Sequence, residues 1–282
     1  MHCTENTDRE VPKSSFWSAW KQLLERQPWL PFVLPFAVFM LSGFLEPSMK
    51  SESVSSRPAS SVNLDSREAN TPAPNGDEFP GLSYPLAYSL RIALTGFAIV
   101  LVWPTWRKIP WRYSHWAIAV GLLGGALWIG ICRLNLVDHV LTRLSLESWS
   151  SFGDRPSFDP YMALGDSPTM MVNFLAIRLV GLACIVPLVE EFFLRGFLMR
   201  FIEKAEWWTI DPGTVSQKAA VTATVYGIVA HPAEPLAAAV WFSLITVLHA
   251  RTGSLWNCVI AHAITNGMLG LYILTFRDWT LW

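Results

Sequence analysis

The chain has 282 residues, of which 52% are hydrophobic and only 15% are charged. An average soluble protein carries roughly 25% charged residues, so this composition does not supply the charged shell that a soluble enzyme of this length needs. The 21 Lys and Arg residues are balanced by 22 Asp and Glu residues, for a net charge of −1. This balance excludes a basic surface for nucleic acid, and the composition as a whole predicts a membrane protein.

Apolar segments of the length that crosses a bilayer recur along the chain. A transmembrane helix needs about 20 mostly apolar residues, and most of the 15 tryptophans lie at the edges of such segments, where amphipathic rings gather at membrane–water interfaces. We therefore predict an all-α, polytopic protein in the lipid bilayer with about seven transmembrane helices, within a range of six to eight. The candidate segments are about 29–46, 84–104, 115–133, 171–200, 217–232, 234–250 and 255–276.

Polar stretches divide the chain into three predicted parts. Residues 1–28 form a charged leader that is too long for a signal peptide, and we interpret it as the cytoplasmic N-terminal leader of a retained anchor. Residues 29–169 form an N-terminal transmembrane region, in which the Ser-, Pro- and Asn-rich stretch 47–83 is predicted to be a flexible loop. Residues 170–282 form a C-terminal helical core.

The positions of Lys and Arg in short loops predict the orientation in the membrane. With seven spans and a cytoplasmic N-terminus, four basic groups fall on the same side. These groups are Arg9, Lys13, Lys21 and Arg26; Arg107, Lys108 and Arg112; Arg200, Lys204 and Lys218; and Arg251.

A pair of glutamates stands out in the C-terminal core. Glu190 and Glu191 are the only acids between residues 170 and 202, and ionisable groups at membrane depth are costly enough to be functional candidates. Glu191 and Arg195 are four residues apart, so they share a helix face and can pair. Glu190 lies about 100° further round the helix and lacks that partner. It is therefore a candidate general base or acid, the alternative being two surface acids at a helix end.

Two histidines and an asparagine complete the candidate set. His262 and Asn266 are four residues apart and project from one face of an apolar helix, whereas His231 ends another apolar segment and on its own could be a core or interfacial histidine. His249, beside Arg251, is expected to be interfacial. Glu190 and His231 could deprotonate a water while the other pair stabilises an oxyanion.

A zinc mechanism is equally compatible with these residues. Glu190, His231 and His262 would be the two-histidine, one-glutamate set of a catalytic zinc site with one open position. Spacing alone does not distinguish this arrangement from a metal-free, glutamate-dependent site.

The order of these motifs resembles a known family. The motifs are E-E-x-x-x-R (Glu190, Glu191, Arg195), a helix that ends in His231, R-T-G-S-L-W (Arg251 to Trp256) and H-x-x-x-N (His262, Asn266). Over about 170–270 they resemble the CPBP superfamily, which comprises CAAX prenyl endopeptidases of the Rce1 type and their bacteriocin-processing and immunity relatives. The longer N-terminal portion resembles the CAAX-protease-related proteins that accompany bacterial exosortase systems.

The resemblance implies an intramembrane peptidase. Glu190 and His231 would activate water, His262 and Asn266 would stabilise the oxyanion, and Glu191 and Arg195 would support the site. The chain departs from the family's F-x-x-x-H motif, because Gly227 stands four residues before His231 and Tyr226 stands one residue earlier.

The expected function is hydrolysis of a peptide bond in a membrane-bound peptide or protein, with a prenylated or C-terminally anchored protein as the implied substrate. The expected location is the bacterial inner (plasma) membrane. The alternatives are a catalytically silent membrane binding or immunity partner on the same scaffold and a proton-coupled transporter.

Overall fold

The computed structural model describes residues 16–47, 82–143, 145 and 157–281, and these residues contain helices and no strand. The all-α prediction is thereby confirmed. The predicted loop 47–83 and the first half of the leader lie almost entirely outside the described residues. The helices are α1 (Phe16–Arg26), α2 (Leu30–Ser42), α3 (Tyr84–Trp106), α4 (His115–Arg133), α5 (Leu136–Arg143), α6 (Pro160–Leu164), α7 (Pro168–Phe201), α8 (Gln217–Ala230), α9 (Pro235–Thr252) and α10 (Leu255–Phe276).

Five of these helices are long and apolar enough to cross a membrane: α3, α4, α7, α9 and α10. The pair α1 and α2, bent by 103° at the break between them, raises the number to six if it counts as one span. The expected segments 29–46 and 217–232 form helices of only 13 and 14 residues. At 1.5 Å per residue these helices are about 20 Å long, short of a hydrocarbon core of about 30 Å, so the described part of the chain has five or six candidate spans where we expected about seven.

The N-terminal and C-terminal parts pack closely through α4, whose glycines contact α9 and α10. An added Cβ at Gly121 would lie 2.8 Å from the carbonyl oxygen of Ala261, and one at Gly124 would lie 2.2 Å from a ring carbon of Trp241. Thr265 of α10 donates a hydrogen bond to the Gly121 carbonyl over 2.8 Å. Small residues allow helix backbones to approach each other in membranes, so α4 forms one wall of the C-terminal core.

Replacing Gly124 by Ala is expected to destabilise the protein, because the new methyl group would overlap the Trp241 ring. Overpacking of this kind costs about 1–3 kcal/mol. Gly130→Ala on the same helix is the matched control, since an added Cβ there meets nothing within 4 Å. Thermal unfolding of the purified protein in detergent should show a lower Tm for Gly124→Ala than for Gly130→Ala. Equal Tm values would contradict the close contact of α4 with α9.

The basic groups that the sequence predicted to share one side lie, where described, at one end of the helix bundle. Trp20 of α1 donates to the Leu101 carbonyl near the end of α3 over 2.8 Å. Ser254, at the start of α10, donates to the Arg112 carbonyl over 2.9 Å. An added Cβ at Gly213 would lie 3.0 Å from the Cα of Gly253, which brings the loop after α7 to the same end.

We call this region the basic end. It contains the exposed cations Lys21, Arg26, Arg107, Lys108, Arg112, Lys204, Lys218 and Arg251.

Candidate active site

Two π-helical turns interrupt α7, Gly181–Ile185 and Leu194–Leu198, and they bracket the two glutamates. Such turns are rare and are often found at functional sites. One carbonyl in each turn accepts a side-chain hydrogen bond. Asn266 Nδ2 donates to the Leu182 carbonyl over 2.9 Å, and Arg200 Nε donates to the Gly196 carbonyl over 3.0 Å. Side chains therefore fix the backbone of α7 on both sides of Glu190 and Glu191.

Glu191 is the centre of a buried network that joins three helices. Its Oε2 accepts from Arg195 Nη1, as the four-residue spacing predicts, and its Oε1 lies 2.9 Å from His262 Nδ1 on α10. The side chains of Glu191 and Arg195 are both 0% exposed. Arg195 Nη2 also donates to Thr246 Oγ1 of α9 over 3.4 Å. The ion pair therefore holds the His262 ring in place. A carboxylate that contacts one imidazole nitrogen fixes the direction in which the other ring nitrogen points.

Glu190 is also buried, but its carboxylate is less well partnered. The residue is 7% exposed, and its Oε2 has no hydrogen-bond partner. It lies close enough to His262, Glu191 and Arg195 to interact with them electrostatically. Burial of both glutamates in the middle of α7 excludes the alternative of two surface acids at a helix end. A buried carboxylate oxygen without a partner is costly and is more often found at functional sites than elsewhere.

A cavity of about 100 Å³ brings three of the four predicted catalytic side chains together. Glu190 is not in its wall. Leu182 and Val186 of α7 are in the wall, and Glu190 follows Val186 by four residues on the same helix face, about 6 Å further along the axis. The cavity is lined by Trp128, Leu182, Val186, His231, Trp241, His262, Asn266, Leu269 and Leu281.

His231 ends α8 and lies between two aromatic rings. Its Nδ1 is 3.0 Å from the Gly227 carbonyl, and its ring packs edge-to-face against Trp128, with centroids 5.3 Å apart. The Phe242 ring lies on another side at 5.5 Å. These contacts fix the imidazole at the edge of the cavity.

Phe242 explains the departure from the F-x-x-x-H motif. An added Cβ at Gly227 would lie 2.3 Å from Phe242 Cδ2, so the ring of α9 fills the space beside His231 that a side chain at 227 would occupy. Tyr226 packs against Phe36, Phe193 and Phe242, with centroids about 6 Å apart. The aromatic neighbours of His231 are thus supplied by α4 and α9, which no local motif could indicate.

The R-T-G-S-L-W segment connects α9 to α10. Gly253 adopts the left-handed conformation, with φ of 58°, at the end of α9, and the Ser254 hydroxyl accepts from the Asn257 N–H at the start of α10. Glycine adopts this conformation at low cost, so the segment reverses the chain direction sharply. This turn directs α10 so that His262 and Asn266 reach the cavity.

His249 is buried, and the expectation of an interfacial side chain is wrong. It is 1% exposed, and its Nδ1 lies 3.6 Å from Cys258 Sγ. His249 and the exposed Arg251 are two residues apart, about 200° round the helix, so they face opposite sides of α9. The sequence also gave no signal for Thr246, because a single threonine in an apolar helix is common.

The predicted zinc ligands do not form a three-ligand metal site in this arrangement. In the part of the chain that the structure describes, no group of three or more His, Cys, Asp or Glu side chains is placed to hold a metal ion. His262 Nδ1 contacts Glu191, and Glu190 is outside the wall of the cavity. Zinc dependence stays a prediction.

Comparison with known families identifies the region that contains the site. Residues 172–268 match the family described as Type II CAAX prenyl endopeptidase Rce1-like, and all six predicted site residues fall within this range. No curated protein and no solved structure gives a significant match. The resemblance predicted from the motifs is therefore confirmed for residues 172–268, which are similar to this family.

Proposed function

We propose that the protein is an intramembrane endopeptidase in which Glu190 activates a water for attack on a peptide bond. The family match supports a membrane protease. The observation that carries the proposal is the buried Glu190 carboxylate, whose Oε2 lacks a partner next to the network that orients His262. A carboxylate in this state can take up a proton without first losing a hydrogen bond at that oxygen.

The proposed mechanism has two proton transfers. Glu190, with His231 at the edge of the cavity, takes a proton from a water that attacks the carbonyl carbon. His262, with a proton on each ring nitrogen so that Nδ1–H faces Glu191 and Nε2–H faces the substrate, and Asn266 donate hydrogen bonds to the resulting oxyanion. The Asn266 amide has two hydrogens, of which the Leu182 carbonyl uses one, so the second can serve the substrate. The proton on Glu190 then passes to the leaving amine, and Glu190 is restored.

The depth of the site supports cleavage within the membrane. His262 and Asn266 lie about 10 Å and 17 Å along α10 from its first residue at the basic end. A cavity of about 100 Å³ has room for roughly three waters and is smaller than typical ligand pockets. The proposal therefore requires the surrounding helices to separate when a peptide enters.

The basic end supports a proposed orientation. Cations are enriched on the cytoplasmic side of membrane proteins, so we place the basic end, with the N-terminal helix, on the cytoplasmic side and the protein in a bacterial inner membrane. A prenylated or C-terminally anchored protein is the proposed substrate, since its scissile bond would lie close to the bilayer.

Cleavage of peptides in liposomes tests the proposal. The purified protein is reconstituted with a pool of peptides that carry a C-terminal lipid anchor, and product termini are identified by mass spectrometry. We expect cleavage of anchored peptides and at least tenfold slower cleavage of the same peptides without the anchor. The same assay with an added chelator tests zinc dependence. Equal cleavage of both sets would contradict a site inside the membrane.

A catalytically silent binding partner on the same scaffold is the second candidate. The position of Glu190 outside the wall of the cavity favours it. This candidate predicts that wild type cleaves none of the anchored peptides and that a co-purifying partner stays bound in Glu190→Gln.

A further inference from the structure

Helix α1 has an apolar and a polar face. At 100° per residue, five large apolar side chains fall within one arc of the helix, and the polar side chains occupy the opposite arc. The apolar set is Phe16, Trp17, Trp20, Leu23 and Leu24, and the polar set is Ser18, Lys21, Gln22, Glu25 and Arg26.

Within the described residues, two side chains of the apolar arc contact the rest of the protein. Leu24 is 6% exposed, and the Trp20 indole donates to the Leu101 carbonyl. The side chains on either side of these two, Phe16, Trp17 and Leu23, are exposed by 67%, 59% and 41%. In a protein that crosses the bilayer, exposed apolar side chains of this kind are suited to contact with lipid.

The direction of α1 indicates which part of the bilayer it contacts. It makes an angle of 103° with α2, so it lies across the direction of α2. An amphipathic helix with aromatic residues on one face and cations on the other binds in the plane of the membrane, at the boundary of headgroups and acyl chains.

The charges around α1 are mostly positive. Lys21 and Arg26 are exposed, with Glu25 as the one acid of the helix. The neighbouring turn between α3 and α4 adds the exposed cations Arg107, Lys108 and Arg112. Clusters of basic residues beside a membrane attract anionic lipid headgroups.

We propose that α1 lies in the plane of the membrane at the basic end and binds anionic lipids. Phe16, Trp17 and Leu23 enter the boundary of the acyl chains, and Lys21 and Arg26 contact headgroup phosphates. For residues 16–26 this replaces the interpretation of the leader as a segment in the aqueous cytoplasm, and it removes α1 from the count of spans.

Spin-label accessibility tests the position of α1. The full-length protein, with its own cysteines replaced by alanine, is labelled singly at Trp17→Cys, Leu23→Cys, Ser18→Cys or Gln22→Cys and reconstituted in phosphatidylcholine vesicles with 30% phosphatidylglycerol. We expect collisions with oxygen to dominate at positions 17 and 23, and collisions with a water-soluble nickel complex to dominate at positions 18 and 22. The labels at 17 and 23 should lie at the same shallow depth in the bilayer. Equal nickel access at all four sites, or a depth that increases steadily along the helix, would overturn the proposal. Gel filtration confirms that each variant is folded.

Brominated lipids test the preference for anionic headgroups. A fluorophore at Trp17→Cys is quenched by brominated phosphatidylglycerol or brominated phosphatidylcholine. We expect quenching by brominated phosphatidylglycerol to be severalfold stronger than quenching by brominated phosphatidylcholine. This difference should be lost in Lys21→Gln/Arg26→Gln. Lys204→Gln/Lys218→Gln, at the same end but after α7, should leave it unchanged. Equal quenching by both lipids in the unsubstituted background, or equal loss in both double variants, would contradict specific binding at α1.

Discussion

Arg195→Met is expected to destabilise the protein by about 3–5 kcal/mol, because it breaks a buried ion pair and leaves the Glu191 carboxylate in the interior with His262 as its remaining partner. Arg195 and Glu191 are both 0% exposed and pair directly, so water does not replace the lost partner. The change also removes the hydrogen bond to Thr246. The measurement is the Tm of the purified protein in detergent.

Two further variants distinguish a loss of Tm caused by the buried charge from one caused by altered packing. Glu191→Gln/Arg195→Met removes both charges and should recover part of the lost Tm. Arg133→Met is the matched control on the surface, since Arg133 is 55% exposed and pairs with Asp278 at 3.4 Å; it should have little effect. If Arg195→Met lowers the Tm no more than Arg133→Met, the buried network does not stabilise the core.

His262→Ala is expected to lower the rate of peptide cleavage by roughly 10²- to 10³-fold, because it removes one of the two side chains that donate hydrogen bonds to the oxyanion. Asn266→Ala is expected to lower it by roughly 10²- to 10³-fold, the usual effect of removing one oxyanion donor. Both side chains line the cavity from one face of α10. The measurement is the initial rate on an anchored peptide in liposomes.

Leu271→Ala is the matched control for these two variants, because Leu271 is on the same helix and is 66% exposed. It should cleave at the rate of wild type. If His262→Ala keeps more than a tenth of the wild-type rate while its Tm is unchanged, His262 is not part of the catalytic machinery.

The sequence was sufficient to predict local relationships. The pairing of Glu191 with Arg195 follows from a separation of one helical turn, and the structure contains this pair. The prediction of an all-α fold rested in the same way on composition and on the lengths of apolar segments.

Contacts between distant parts of the chain could not be predicted from spacing. The bond between Glu191 and His262 joins residues 71 positions apart, and its formation depends on how α7 and α10 pack. Phe242 fills the space beside Gly227 for the same reason. The π-turns were also missed, because no residue pattern distinguishes them from continuous helix.

The bounds of two predicted spans differ from those of the helices because hydropathy does not show where a helix ends. The apolar segment 29–46 includes a 13-residue helix that stops at Ser42. The segment 217–232 ends with α8 at Ala230, just before His231 and the proline that follows it. Apolar residues inside a protein look the same in sequence as apolar residues that face lipid.

Glu190→Gln tests the central proposal most directly. Glutamine keeps the size of the side chain but cannot take up a proton from water, and its neutral amide is easier to bury than a carboxylate. The measurement is the release of new peptide termini from an anchored peptide in liposomes, for wild type and variant at equal amounts of folded protein. We predict defined products from wild type and at least a hundredfold less from Glu190→Gln, with the Tm maintained or raised. Cleavage by Glu190→Gln at the wild-type rate would contradict the proposed mechanism.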